Sequence, residues 1–167
     1  MKNFAFIDGN NLYLGAKSQG IRLDYDKLRI YLKDKFHVVR AFLFIGYDFQ
    51  NTELYSALQA AGFILIFKPT VPYRENGRKQ MKGNVDAELV LHSAAVEYKN
   101  YEKAVIISSD GDFACLIRYL LENEKLLKII TPTEKYSSLL RPFGDFILPL
   151  MTVKGKVSID KRKINKK

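Results

Sequence analysis

Six short apolar runs punctuate the chain, and polar turns or residues at helical spacing separate them. Asn3–Ile7, His37–Ile45, Phe63–Phe67, Ala104–Ser108 and Leu126–Ile130 are rich in Ile, Val and Phe and read as strands buried on both faces. Phe146–Leu150 predicts a shorter sixth strand. Between the runs the period changes. Tyr25, Leu28 and Leu32 recur at i, i+3, i+7, and Leu54, Leu58 and Ala61 at i, i+4, i+7, as on one face of a helix. Gly62 follows the second of these where a left-handed cap is expected. Further helices are predicted from about Val85 to Tyr98, with Asn84 as its cap, from about Asp112 to Glu122, and briefly over Ser137–Arg141. Strands alternating with helices at this spacing predict an α/β fold: βαβ units forming a mainly parallel sheet covered on both faces.

Ligands of such sheets gather beyond the carboxyl ends of the strands. Asp8 and Asp110 both stand just past the C-terminal end of a predicted strand, in the strings Phe6-Ile-Asp-Gly-Asn-Asn11 and Ser108-Ser-Asp-Gly-Asp-Phe113. Asp86 opens the third predicted helix. Carboxylates so far apart in sequence, each at an element edge, are able to converge on one divalent cation. Mg²⁺ and Mn²⁺ favour oxygen donors completed by water and substrate phosphate. The candidate ligands are Asp8, Asp86, Asp110 and Asp112, with Gly111 permitting a tight turn between the last two. Purely structural roles compete: Asp112 as a helix cap, Asp86 as a favourable charge at a helix N-terminus, Asn11 as a turn or cap residue. Asp8 fits such a role less well, because a strand-end carboxylate loses solvation unless something compensates it. Asn11 is placed to orient Asp8, and Ser109 to bond Asp8 or a phosphate.

One long connection, Pro69 to Gly83, shows no periodicity of its own and leads directly to Asp86. Loops of that length are often functional. Its Arg74, Arg78, Lys79 and Lys82 are candidate contacts to a phosphate backbone. Tyr13, Tyr47 and Tyr73 lie near the predicted site loops, where packing is the expected role and base stacking the alternative.

Composition narrows the classes. The 167 residues suit one domain, and the 47% hydrophobic and 27% charged content is that of a globular protein. A single cysteine, Cys115, excludes an intramolecular disulfide and a multi-cysteine zinc site, and suits a reducing, cytoplasmic setting. Phe4–Ile7 is too short for a signal peptide, and no run approaches a membrane span. Of the net charge of +9, six charges come from residues 154–167, where seven Lys/Arg face one acid, Asp160. That segment reads as a basic tail following a domain over residues 1–151, the tail itself spanning 152–167. The two histidines, His37 and His92, lack zinc-ligand spacing, and neither a Gly-x-Ser-x-Gly elbow nor a phosphate-binding Gly-x-x-x-x-Gly-Lys loop is present. Phe6, two residues before Asp8, removes the Asp-x-Asp pair of haloacid-dehalogenase-like phosphatases.

Three strings in order, Phe6-Ile-Asp-Gly-Asn-Asn-Leu-Tyr13, Lys82-Gly-Asn-Val-Asp86 and Ser108-Ser-Asp-Gly-Asp-Phe113, resemble the NYN domain of the LabA-like group within the PIN-like nuclease superfamily. The resemblance covers roughly residues 3–150. It implies a three-layer α/β sandwich of Rossmann-like topology with acids clustered at the C-terminal edge of the sheet. It also implies Mg²⁺- or Mn²⁺-dependent cleavage of RNA, single-stranded or structured, and it allows a homodimer. Asp8, Asp86, Asp110 and Asp112 match the acidic cluster, and Asn11 and Ser109 the polar positions supporting it. The chain departs from the pattern at His92, where members often carry a further acid, and at Ser109, where they often carry Gly. The alternative function is a non-catalytic RNA-binding or adaptor module on the same fold.

Overall fold

The computed structural model describes residues 1–68, 71–82 and 85–159. Six strands, β1 (Asn3–Asp8), β2 (Val38–Gly46), β3 (Phe63–Lys68), β6 (Ala104–Ile107), β7 (Leu126–Thr131) and β8 (Ile147–Pro149), form one sheet in the order β3-β2-β1-β6-β7-β8. Every neighbouring pair is parallel. All six predicted runs are therefore strands, with ends shifted by at most one residue. Order reverses between β1 and β6, so the crevice beyond the ends of these two strands is the switch point of the topology.

Because side chains alternate across a strand, each strand feeds two cores. Ala5 and Ile7 of β1, with Leu43 of β2 and Val105 and Ile107 of β6, pack against helices α1 (Gly9–Ser18), α2 (Tyr25–Phe36) and α3 (Thr52–Ala60). Phe4 and Phe6, with Phe42, Phe44, Ile106 and Ile129, pack on the opposite face against α4 (Asp86–Leu91), α5 (Ala114–Glu122) and the 3₁₀ segment Ser138–Phe146. On that second face Phe6 and Phe42 stack with ring centroids 5.5 Å apart. The result is a three-layer α/β sandwich.

Four local features differ from the sequence reading. Helix α1 has no counterpart among the predicted helices; its buried residues are only Gly9, Leu12, Gly15 and Ala16, too small and sparse to give a clear apolar stripe. The connection after β3 is not irregular: Val71–Glu75 (β4) and Arg78–Lys82 (β5) pair as an antiparallel hairpin. Its turn, Asn76-Gly77, has both residues at positive φ (51° and 75°), the conformation that favours Asn-Gly. The third helix begins at Asp86 behind Val85, which makes no side-chain cap, and runs into a π-helical turn, His92–Val96; the expected cap Asn84 lies outside the described residues. Finally, the basic segment starts inside the fold. Lys154–Val157 forms a short helix, α6, whose Val157 is fully buried beside α2. Asp24 donates its N–H to the Val157 carbonyl at 2.8 Å, and Ile159 donates to that of Arg22 at 2.9 Å. Among the described residues no helix is long and apolar enough to cross a membrane.

Candidate acidic centre at the carboxyl edge of the sheet

Asp8 is the last residue of β1 and the N-cap of α1. It shares the parity of Phe4 and Phe6, so it faces the layer that contains α4. Its Oδ1 accepts the Asn11 backbone N–H at 3.2 Å, and its Oδ2 accepts the Ser108 hydroxyl at 3.4 Å. The residue is only 6% exposed. Burial pushes its carboxyl up from 3.8 to about 6, the Asn11 N–H opposing and the neighbouring Asp86 and Asp110 adding to the rise.

Asp110 follows β6 across the switch point and caps the 3₁₀ turn Gly111–Phe113 that leads into α5. Its Oδ1 accepts the Asp112 N–H at 2.9 Å, and its own N–H donates to Ser108 Oγ at 3.1 Å. The turn packs so closely that a Cβ on Gly111 would collide with Ser137 Oγ and lie 2.8 Å from Ser137 Cβ. Gly111 is thus required by close approach rather than by its φ. Asp86 opens the first turn of α4. Burial raises its carboxyl pKa, with Asp110 and Asp112 adding to the rise and Lys68 opposing it.

Asp86, Asp110 and Asp112 each offer a carboxylate oxygen, and these atoms lie within 4.8 Å of one another. Asp8 stands next to this trio, buried and electrostatically coupled to two of its members. Three carboxylates this close repel one another in the absence of a cation. An all-oxygen donor set of this kind fits a hard divalent cation such as Mg²⁺ or Mn²⁺.

The supporting residues are partly rearranged from expectation. Asn11 acts through its backbone on Asp8, while its side-chain oxygen accepts the Ser109 N–H at 2.9 Å, tying the β1–α1 turn to the β6 turn. Ser109 does not bond Asp8. Its Oγ accepts the Thr133 N–H at 3.2 Å and the Thr133 hydroxyl at 2.9 Å. The partner of Asp8 is Ser108, and the sequence carries a signal for it: Ser108 lies two residues after Ile106, on the face shared with Phe6 and Asp8. Thr133 carries no such signal. His92 directly follows α4 as its C-cap, with its ring against Phe44 and Phe42 at centroid distances of 5.4 and 6.5 Å.

The candidate phosphate contacts all fall on the hairpin. Arg74 and Arg78 are exposed; Arg74 lies opposite Lys79 in the register, and Val71 opposite Lys82. Tyr13, Tyr47 and Tyr73 are 53%, 45% and 36% exposed, yet Tyr47 packs its ring against Tyr55 and Phe67 at centroid distances of 6.0 and 5.5 Å.

The sequence pattern of the NYN domain matches residues 4–148. The chain belongs to the NYN domain family. Membership places it in a nuclease superfamily whose NYN members are typically dependent on divalent metal, and the acidic residues that such chemistry needs are present. No curated protein matches the chain. Among solved structures, a protein of unknown function from Vibrio parahaemolyticus is similar in fold, with a TM-score of 0.68 and 21% identity, over 89% of this chain and 92% of that one.

Proposed function

We propose that this NYN-domain chain is a metal-dependent ribonuclease that hydrolyses phosphodiester bonds of RNA. The observation carrying the proposal is the convergence of Asp86, Asp110 and Asp112, with Asp8 beside them, at the switch point of a parallel sheet. Four converging acids, one of them buried and two half-buried, are a liability in a protein that only binds phosphates, whereas a nuclease uses them to hold Mg²⁺ or Mn²⁺. When bound, the cation supplies Lewis-acid stabilisation of charge at the phosphate and a more acidic water.

The protein's own part is orientation and charge. Ser108 and the Asn11 N–H hold Asp8 in one rotamer, and Asp110 fixes the turn that presents Asp112. Arg74, Arg78, Lys79 and Lys82, on the hairpin that leads into α4, are the residues we assign to the flanking phosphates. Water attacks phosphorus and the bond to the 3′ oxygen breaks, leaving a 5′-phosphate and a 3′-hydroxyl.

The test is cleavage of labelled RNA with Mg²⁺ or Mn²⁺. Asp110→Asn is expected to lower kcat by at least about a hundredfold, the order associated with losing a key electrostatic group, and excess chelator to abolish turnover. Saturable RNA binding without products in the wild type would favour the adaptor reading instead.

A further inference from the structure

A cavity of about 660 Å³ opens on the same edge of the sheet as the acidic centre, on the side of α1 and α3. Two of its walls are neighbours of the acids themselves: Gly9 directly follows Asp8, and Val85 directly precedes Asp86. A Cβ on Gly9 would stand 2.8 Å from the Phe44 carbonyl oxygen, so glycine is what lets α1 lie close on β2 at this wall.

The size is that of a small-molecule site, and the lining restricts its occupant. Among the described residues no lining side chain carries a charge, which disfavours a phosphate or a carboxylate as the group that enters. Three tyrosines, Tyr13, Tyr25 and Tyr55, supply ring surface. Tyr55 is fixed: its hydroxyl donates to the Gly46 carbonyl at 3.3 Å and accepts the Asp48 N–H at 2.9 Å. Tyr13 is half-exposed at the mouth. The amides of Asn10 and Asn51 offer both donors and acceptors. Planar rings, neutral amides and an apolar floor suit a heteroaromatic ring with hydrogen-bonding edges.

We propose that this cavity receives the unpaired base of a nucleotide whose phosphate lies at the acidic centre. The proposal rests on the ribonuclease reading for the placement of that phosphate, and it names the substrate class more narrowly: RNA that is single-stranded at this nucleotide. A base held in a duplex cannot leave its partner to enter without the loss of pairing and stacking.

The test uses the full chain and a short single-stranded oligoribonucleotide carrying one fluorescent purine, in chelator so that no turnover occurs. Binding is expected to quench the purine, and the same strand in a duplex is expected to bind at least about tenfold more weakly, the scale of one base–aromatic stack. Leu54→Trp, at a rim position that is 42% exposed, is expected to fill the cavity and weaken single-strand binding about tenfold with Tm unchanged. Tyr13→Ala, also at an exposed position, gives the same result without adding volume and serves if Leu54→Trp does not fold. Equal affinity for single strand and duplex, or undiminished single-strand binding in folded Leu54→Trp and Tyr13→Ala, overturns the proposal. Quenching with no cleavage under any metal would defeat the ribonuclease reading and leave the base site standing. Cleavage with no base dependence would do the reverse.

Discussion

The carboxyl of Asp8 is stabilised by two hydrogen bonds and penalised by burial, and burial wins, since the group is raised from 3.8 to about 6. The folded state therefore holds a proton that the unfolded chain has already released. Between those two values stability falls as pH rises, and above about pH 6 the whole penalty is present. The difference corresponds to at most about 3 kcal/mol. Asn is as good an N-cap as Asp, so Asp8→Asn keeps the α1 cap and removes the penalty. In chelator at about pH 8 the variant is expected to be more stable than the wild type by up to that amount, with the gap closing below about pH 4. Urea unfolding at a series of pH values measures it. Mg²⁺ or Mn²⁺ is expected to narrow or reverse the gap, because the cation stabilises only the chain that keeps the carboxylate. By the same linkage, the metal dissociation constant should rise as pH falls through about 6, read by titration calorimetry. Gly111 offers a second residue-level test. Gly111→Ala drives a Cβ into Ser137 and is expected to cost about 1–3 kcal/mol while weakening metal binding, because the same turn positions Asp110 and Asp112.

At the scale of elements, the strands are legible because a parallel sheet buried on both faces leaves nearly continuous apolar runs, as in Ala104–Ile107 and Leu126–Thr131. Their ends also place Asp8 and Asp110 at the correct edge from sequence alone. Helix α1 is hidden because it is held by close backbone approach through Gly9 and Gly15 rather than by large apolar side chains. The hairpin β4–β5 is hidden too, although Asn76-Gly77 is the pair that such a turn requires; its exposed β4 residues supply no buried alternation to support the signal. That hairpin also carries an element-level prediction. If Arg74 and Arg78 bind phosphates, replacing each by Ala should weaken RNA binding alike for different sequences. The slope of log affinity against log salt should fall by about one for every phosphate no longer neutralised. Fluorescence anisotropy at several salt concentrations reads both effects, and an unchanged slope would assign phosphate binding to other residues.

Across the whole molecule, the parity of β1 decides which layer receives the chemistry. Phe4, Phe6 and Asp8 share one face, so the acid emerges above the aromatic core and toward α4 and α5, where the other three acids stand. The opposite face belongs to α1, α2 and α3, and α6 completes it. Composition separates the basic C-terminal segment from the domain by charge, yet charge is a poor guide to where packing ends. Lys154 and Lys156 belong to the same short helix as the fully buried Val157, while the Lys27 ammonium donates to the Ser158 carbonyl at 3.1 Å and Leu23 bridges to Ser158. A chain stopped after residue 151 would leave α2 with an uncovered apolar surface and remove the acceptor of the Asp24 N–H. It is expected to melt several degrees below a chain stopped after residue 159, and Val157→Ala in the full chain should lose about 2 kcal/mol through the same cavity. If the two truncations melt together, α6 is an appendage, and the boundary drawn from charge alone is the physical one.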